Sequence, residues 1–533
     1  MDLEILWNGL LMIVDEGAFA IVRTSMSKVV VEGRDFGAML YDPRGNLLAA
    51  DISIASKTGA TSIVVKELLE HFPPETLAPG DVLASNNPWW IMGHLNDIAI
   101  VCPIFNGRKL VAFAECIAHM GDIGGSLSGA PREVYEEGLI IPPLKIGTRA
   151  GENETFFSML QANVRIPGHV AGDVRALIAG CRVMEERVAA FLERHGMTDL
   201  SRIGGTVLER SERTMRAAIA AAIPNGVYRG STTVDALGEV LTIAVKATAK
   251  DGRLEFDFDG SSPQSLLGIN STLVYTGVWC KYITKCLVCP ELPNNEGTFA
   301  PITVKAPVGT FVNPTFPAPV KMKPSTGHYI PTAIVNALAD VVPDRILAES
   351  GNKFLVYLSG RDEAGAAFSD MMFVMGGMGA RANKDGLHCM SFPANSSNLP
   401  VEVLEASIPV RVRHKRLRTD SGGAGRFRGG CGQEFEFESV SATPMTVRAE
   451  HGKLYTTPLG LRGGKAGASG GIAVNGSAVA DKSAVALARG DVMNLQTPGS
   501  GGAYPPGERD PAALERDVEN GIVSARSAGA DYR

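Results

Sequence analysis

The sequence predicts a multidomain protein of mixed α+β structure, and three observations support this fold class. Apolar runs at 98–105 and 108–117 flank the pair 106–107, Asn-Gly, which is the strongest short signal for a β-hairpin. Apolar residues at helical spacing predict long helices within 172–221. From residue 227 onward, short apolar runs alternate with glycine-rich turns, and the 60 glycines of the chain indicate many tight turns.

The other elements follow from local periodicity and turn residues. Apolar residues at helical spacing predict an opening helix over 3–23 and a further helix over 62–71. A turn at 42–45 between two apolar runs predicts a second hairpin over 36–52. Later in the chain, we expect strands at 240–247, 254–258, 371–375, 433–438 and 445–449, and helices at 276–289, 331–338 and 509–530.

Three domains are expected. The first covers residues 1–225, contains the hairpin and the long helices, and ends at a Pro-Asn-Gly turn. A central α+β domain is predicted over 226–410. The last domain, 411–533, is predicted to be glycine-rich and strand-heavy, with a helix at its end.

Composition limits the function classes. The 533 residues are 45% apolar and 20% charged, which is typical of a folded globular protein. A net charge of −6 gives no general attraction to nucleic acid or to an anionic membrane. The start of the chain is acidic and lacks the pattern of a signal peptide, and the eight scattered cysteines do not form a disulfide framework. We therefore expect a cytoplasmic protein. The basic run at 411–418 is interpreted as the solvent side of an edge strand.

Histidines lie at both open ends of the first hairpin. A two-residue turn at 106–107 would place His94 opposite His119, with Cβ atoms roughly 4.5–5.5 Å apart. Asp97 would face the other way in a regular strand, so its use beside His94 requires a bend before Ile98, which Gly93 allows. Two imidazoles and a carboxylate suit Zn²⁺, Mn²⁺ or Fe²⁺ with an open position. The alternative is that both histidines are hydrogen-bonded at strand ends.

Longer motifs extend over nearly the whole chain. These motifs are NP at 87–88, GHLND at 93–97, AH at 118–119, DIGG at 122–125, YEEGL at 135–139, IPP at 141–143, NVR at 163–165, GDVR at 172–175, NNEG at 294–297, DSGGAGRFRGG at 420–430 and PGSGG at 498–502. With these motifs, the sequence resembles the B-type subunits of the hydantoinase and oxoprolinase family.

The resemblance implies a hetero-oligomeric enzyme. An A-type partner of actin-like ATPase fold would bind ATP and Mg²⁺ and phosphorylate a small-molecule substrate. The B-type chain would complete the reaction at one divalent transition metal, Zn, Mn or Fe. Its ligands would be His94, Asp97 and His119, with Asp35 as a fourth that rests on the resemblance alone. Asp122 could orient a water or a ligating imidazole, and capping of the loop at 124–125 is the alternative.

One segment departs from the family pattern. Where the family has a small, glycine-rich stretch before the first metal histidine, this chain has Trp89, Trp90 and Met92. These side chains suggest an apolar or aromatic wall of the substrate pocket, or an altered subunit contact, with local core packing as the alternative. The departure puts hydantoin and oxoproline themselves in doubt as substrates.

Three functions therefore stay open. The first is the metal-dependent catalytic subunit of an ATP-dependent cyclic amide hydrolase, in which the metal activates water to attack a phosphorylated substrate. The second is a subunit of an ATP-dependent ketone carboxylase of the acetone or acetophenone type. The third is a non-catalytic scaffold for the A-type chain. The hydrolase is favoured because it is the commoner activity in the family.

Overall fold

The computed structural model describes residues 3–51, 61–126, 131–362, 364–390, 392–479 and 484–532. The helices are α1 (Leu3–Thr24), α2 (Lys28–Val31), α3 (Thr61–His71), α4 (Glu154–Asn163), α5 (Pro167–Arg194), α6 (Ser201–Ala222), α7 (Leu273–Val288), α8 (Glu296–Phe299), α9 (Pro324–Gly327), α10 (Ile330–Leu338), α11 (Val401–Ser407), α12 (Pro511–Glu519) and α13 (Ala525–Asp531).

The strands are β1 (Phe36–Tyr41), β2 (Leu47–Ala50), β3 (Val82–Ser85), β4 (Asp97–Asn106), β5 (Lys109–His119), β6 (Leu144–Thr148), β7 (Gly151–Glu152), β8 (Gly226–Ala236), β9 (Glu239–Lys250), β10 (Arg253–Asp257), β11 (Ile302–Lys305), β12 (Lys353–Arg361), β13 (Ala367–Met375), β14 (Val410–Leu417), β15 (Gln433–Ser439), β16 (Met445–Glu450), β17 (Gly471–Val474), β18 (Ser477–Ala478), β19 (Val485–Leu487) and β20 (Val492–Gln496). The fold is thus mixed α and β, as predicted.

The described strands form four sheets. Their orders are β2-β1-β5-β4-β3-β6-β7, β11-β10-β9-β8, β13-β12-β16-β19 and β14-β15-β20-β17-β18. The third sheet combines strands from both sides of residue 411, so the domain borders stay a prediction. The basic strand β14 lies at an edge of the fourth sheet, as the sequence predicted, and its Arg416 pairs with Glu434 at 2.9 Å.

The seven-stranded sheet is buried on both faces. Along β4, Ile98, Ile100 and Cys102 pack into one apolar core with α1 and α5, whereas Ala99 and Val101 pack into a second core with α7 and the second sheet. Side chains of a strand alternate between its faces, so a strand that is covered on both sides becomes a continuous apolar run. The hairpin could therefore be predicted from the apolar runs of its two strands.

The register of that hairpin differs from the prediction. Its turn residues are Gly107 and Arg108, one position later than Asn-Gly, and Gly107 has a φ of +63°. An irregularity after Ile104 shifts the pairing by one further residue, so that His119 lies opposite Asp97. The prediction that His94 and His119 are direct cross-strand neighbours is therefore wrong. The reason is that Gly107 occupies the first central position of the turn, where the prediction had placed Asn106.

Among the described helices, α1 alone has the length and apolar composition that a membrane span needs. Its inner face, from Trp7 to Ile21, is buried and packs on α5. A core helix of this kind has the same composition, so α1 does not indicate a membrane protein.

The crossing of α1 and α5 requires a small residue at Gly180. A Cβ atom there would lie 2.8 Å from Ile21 Cγ1 and 2.9 Å from Cys116 Sγ. We expect Gly180→Ala to destabilise the fold by about 1–3 kcal/mol, because the added methyl overpacks this crossing. Gly205→Ala in α6 meets nothing within 4 Å and should stabilise by about 0.5–1 kcal/mol. Unfolding midpoints measure both changes, and an equal response of the two variants contradicts the packing argument.

Glu115 lies fully buried in β5, where Oε2 accepts a hydrogen bond from the Tyr41 hydroxyl. Burial raises the pKa of Glu115 from an ordinary value of 4.5 to about 8. The folded chain therefore keeps a proton that the unfolded chain releases, and this contribution to stability is lost as the pH rises from 4.5 towards 8. We expect the unfolding temperature of Glu115→Gln to fall less than that of the wild type between pH 5 and 8. The exposed control Glu193→Gln should follow the wild type, and parallel curves for all three chains contradict the prediction.

Candidate metal centre

Three of the predicted ligands meet at the open end of the β4–β5 hairpin. Asp97 begins β4 and pairs with His119 at the end of β5. The ligand atoms of His94, Asp97 and His119 all lie within 4.8 Å of one another, and all three residues are buried. His94 Nε2 lies 2.9 Å from Asp97 Oδ2, and His119 Nδ1 lies 3.8 Å from Asp97 Oδ1. A single ion can therefore contact all three side chains.

His94 reaches this position from a turn and not from the strand. The chain bends at Gly93, which has a φ of +83°, before β4 begins at Asp97. A Cβ atom at Gly93 would lie 3.0 Å from Lys323 Cδ and 3.1 Å from Tyr275 Cβ. Both the backbone conformation and the close approach thus call for glycine. The bend that brings His94 and Asp97 to one site is the bend expected before Ile98.

Asp35 lies on the same side of the sheet, directly before β1. Its backbone carbonyl accepts a hydrogen bond of 3.0 Å from the backbone N–H of His119. The residue is half-buried and lines the same cavity as the triad. Its position is compatible with a fourth ligand.

Distant parts of the chain complete the cavity. Its volume is about 30 Å³, which is room for about two water-sized groups. The lining comprises Asp35, His94, Asp97, His119, Tyr275, Lys323, Pro324, His328, Lys353, Leu355 and Ala394. The side chains beyond residue 226 could not be predicted from the sequence, because no local motif marks them and only the tertiary structure brings them to the hairpin.

The protonation of His94 follows from its surroundings. Nδ1 lies 3.1 Å from the carbonyl oxygen of Lys321, and this contact assigns the ring proton to Nδ1. Burial, and next the positive charge of Lys323, lowers the pKa of His94, so the ring is neutral. The lone pair of Nε2 then faces a carboxylate oxygen at 2.9 Å, an arrangement that a positive charge stabilises, and Lys323 Nζ lies 3.3 Å from the same oxygen. The donor set therefore fits a cation.

Lys323 supplies one positive charge to this site. Its Nζ lies 3.3 Å from Asp97 Oδ2 and 4.2 Å from the centre of the Tyr275 ring. His328 lies on the same wall and contacts Asn352 through Nδ1 at 3.1 Å. Burial lowers the pKa of His328 well below its usual value, so this imidazole is also neutral.

A model of the hydantoinase B/oxoprolinase family matches residues 1–506. The chain belongs to this family. The family assignment made from the sequence motifs is thereby confirmed.

Relatives with described activities cover almost the whole chain. The putative B-type D-/L-hydantoinase subunit of Pseudomonas sp. strain NS671 is 29% identical, over 96% of this chain and 91% of the relative. The beta subunit of caprolactamase from Pseudomonas jessenii is 29% identical, over 97% of this chain and 93% of the relative. The crystal structure of ATP-dependent caprolactamase from that organism matches with a TM-score of 0.93 at 25% identity, over 99% of this chain and 95% of that chain.

An acetone carboxylase structure, nucleotide-free, shares the fold. Its TM-score is 0.90 at 20% identity, and the match covers 99% of this chain and 79% of that chain. At this identity the likeness extends to the fold alone. The hydantoinase B/oxoprolinase fold is thus common to a lactamase and a carboxylase.

Asp122 has its contacts away from the triad. Oδ1 accepts from Arg165 Nη1 at 2.7 Å and from the Gly124 N–H at 3.3 Å, and Oδ2 accepts from the Arg165 N–H. These are the contacts expected from capping of the loop at 124–125. A role in orienting a water or a ligand stays a prediction.

The tryptophans and methionine before His94 also have other partners. Trp89 donates from Nε1 to the Pro314 carbonyl at 3.1 Å and packs edge-to-face against Phe316. Trp90 lies against His71, and Met92 is buried in the second core. The described residues that line the metal cavity include Tyr275 but not Trp89, Trp90 or Met92. The contacts match the packing alternative, and the pocket-wall role stays a prediction.

Gly93 offers a test of the turn that carries His94. Gly93→Ala forces a residue with a side chain to a φ of +83° and crowds Lys323 and Tyr275. Gly107→Ala is a matched control, because its φ is +63° and its Cβ would meet nothing within 4 Å. We expect the control to lose about 1 kcal/mol of stability from backbone strain, and Gly93→Ala to lose about 1–3 kcal/mol more from crowding. Equal unfolding midpoints of the two variants would disprove the crowding argument.

Proposed function

We propose that this chain is the metal-dependent catalytic subunit of an ATP-dependent cyclic amide hydrolase. The observation that carries the proposal is the buried triad, in which the neutral Nε2 of His94 faces Asp97 at 2.9 Å beside His119. The substrate would be a lactam, a hydantoin or a related cyclic amide that an A-type partner has phosphorylated. The printed names of two relatives, one from a hydantoinase and one from a caprolactamase, support this class.

The donor set suits one divalent transition metal, Zn, Mn or Fe. His94 and His119 supply nitrogens, and Asp97 supplies a carboxylate oxygen, with Asp35 as a candidate fourth ligand. Nitrogen and carboxylate ligands with an open position are typical of catalytic sites for these metals. When bound, such an ion acts as a Lewis acid that polarises a substrate oxygen and acidifies water.

The residues of the chain position and shield the reaction. The Lys321 carbonyl holds the His94 ring with Nε2 towards Asp97. The β4–β5 ladder keeps Asp97 and His119 opposite each other. Because the side chains of His94, His119 and Asp97 are at most 4% exposed, bulk water has little access to the site. The centre therefore admits few water molecules, which suits attack by one activated water on a substrate that the partner has already phosphorylated.

The degree of sequence identity to relatives of each kind favours a hydrolase over a ketone carboxylase. The hydantoinase and caprolactamase relatives are 29% identical over nearly the full chain. The acetone carboxylase match is 20% identical and supports a common fold only.

The partner is part of the proposal. Both bacterial relatives are named as subunits, which supports a hetero-oligomer for this chain. We propose that an A-type partner with an actin-like ATPase fold binds ATP and Mg²⁺ and phosphorylates the substrate.

Metal content tests the centre directly. We expect purified wild-type chain to hold near-stoichiometric Zn, Mn or Fe by mass spectrometry. His119→Ala should bind the metal more weakly by about tenfold or more, because it lacks one of the ligands. With the A-type partner and ATP, turnover of a lactam or hydantoin should fall with the metal content.

The control for this substitution is His169→Ala, an exposed histidine on α5 that should change neither metal content nor turnover. Metal-free wild type, even with the partner and added metal, would overturn the proposal. Full turnover by a metal-free His119→Ala variant would exclude a catalytic metal and would favour the role of a non-catalytic scaffold. A requirement for bicarbonate with consumption of a ketone would instead assign the chain to the carboxylases.

A further inference from the structure

Glu137 is a buried acidic residue in the YEEGL segment at 135–139. It is 1% exposed, and it lies outside the candidate ligand set. Burying a carboxylate is unfavourable unless hydrogen bonds replace the water that it loses. The hydrogen bonds of Glu137 therefore indicate which part of the chain this carboxylate stabilises.

The carboxylate holds the backbone that precedes α9. Glu137 Oε1 accepts hydrogen bonds from the Val320 N–H at 2.6 Å and from the Lys321 N–H at 2.7 Å. The next N–H, that of Met322, donates to the Gly268 carbonyl at 2.7 Å. Three successive N–H groups are thus fixed, two of them by Glu137. The direction of the Lys321 carbonyl depends on these contacts, because each peptide unit is planar and turns as one body.

The Lys321 carbonyl is the group that orients the His94 ring. Its oxygen lies 3.1 Å from His94 Nδ1, and the other ring nitrogen, Nε2, lies 2.9 Å from Asp97 Oδ2. A contact at one nitrogen of an imidazole sets the direction in which the other nitrogen can bind a metal. A shift of the backbone at 320–321 would therefore turn Nε2 of His94 relative to Asp97.

The backbone of the turn before β4 has supports of its own. Asn86 Nδ2 donates to the Leu95 carbonyl at 2.8 Å, and Asn96 Nδ2 donates to the Met120 carbonyl at 3.1 Å. Both contacts are made by side-chain amides and do not involve the Glu137 carboxylate. Loss of that carboxylate would therefore leave the turn in place and would act chiefly on the orientation of the histidine ring.

We propose that Glu137 is a positioning residue for the metal ligand His94, which it orients through the backbone of Lys321. This inference rests on the proposed function and deepens it, because it names a residue that sets the metal affinity of the centre without touching the ion. Partners beyond the ligands fix the orientation of a metal site and thereby its affinity. The inference also gives a role to the YEEGL segment, since Glu137 ties this segment to the residues before α9.

Calorimetric titration of Mn²⁺ into the full chain, after removal of bound metal with a chelator, tests the proposal. Glu137→Met keeps the approximate length of the side chain and removes the acceptor. We expect it to weaken Mn²⁺ binding at least about fivefold, less than the roughly 10–100-fold loss for a direct partner of a ligand, because the Met322 contact remains. Glu137→Gln retains Oε1 and should stay within about twofold of the wild type. The exposed Glu133→Met is the matched control and should bind Mn²⁺ as the wild type does.

A double-mutant cycle separates positioning from a merely structural role. If Glu137 acts through His94, Glu137→Met should change the Mn²⁺ affinity of the His94→Ala variant by less than about twofold. Equal losses in the wild-type and His94→Ala backgrounds would overturn the inference and leave the proposed function intact. Wild-type affinity in folded Glu137→Met would also overturn it.

Circular dichroism establishes that each variant is folded before titration. If Glu137→Met does not fold, Glu137→Asp takes its place in the same comparisons, because the shorter side chain withdraws the carboxylate from both N–H groups and keeps its charge. A wild-type chain that binds no Mn²⁺, Zn²⁺ or Fe²⁺ would overturn the proposed function and the inference with it.

Discussion

The antiparallel ladder between β4 and β5 is the constraint on which the candidate centre depends. It runs through the middle of a sheet that is buried on both faces, and it ends with Asp97 opposite His119. Because a slip of one residue would turn every side chain of a strand to the other face, the two apolar cores hold this register firmly. The carboxylate and one imidazole are thereby preorganised at the end of a strand pair that is buried on both faces.

Around this pair, the other groups are held by irregular backbone that the cores support. Gly93 lets the chain turn so that His94 approaches Asp97 from outside the strand, and the Lys321 carbonyl orients its ring. Tyr275 and Lys323 come from beyond residue 226 and close the site. The centre therefore lies where the first sheet meets later parts of the chain, which is a common place for ligand sites.

Electrostatics connects the geometry with the chemistry. Burial keeps His94 neutral, so its lone pair is available to a metal, whereas a histidine in water would be partly protonated near its usual pKa. The same burial makes each added charge destabilising unless an opposite charge compensates it. Lys323, whose Nζ lies 3.3 Å from Asp97 Oδ2, supplies one such compensating charge.

The local chemistry of the sequence determined the family, the mixed fold, the long helices, about half of the described strands, and the three residues that meet in the candidate triad. Periodicity and turn residues act over a few positions, so the helix at Leu3–Thr24 and the strands of the hairpin could be predicted. The register could not, because a turn at Gly107-Arg108 and an irregularity after Ile104 depend on how the hairpin packs in the sheet. Nor could the sequence predict that Lys323, Lys353 and Tyr275 line the cavity. These residues lie more than 150 positions from the hairpin, and no local motif connects them with it. Only the packing of the sheets decided which charges share the cavity, because burial and distance, and not residue type alone, set the electrostatics of a site.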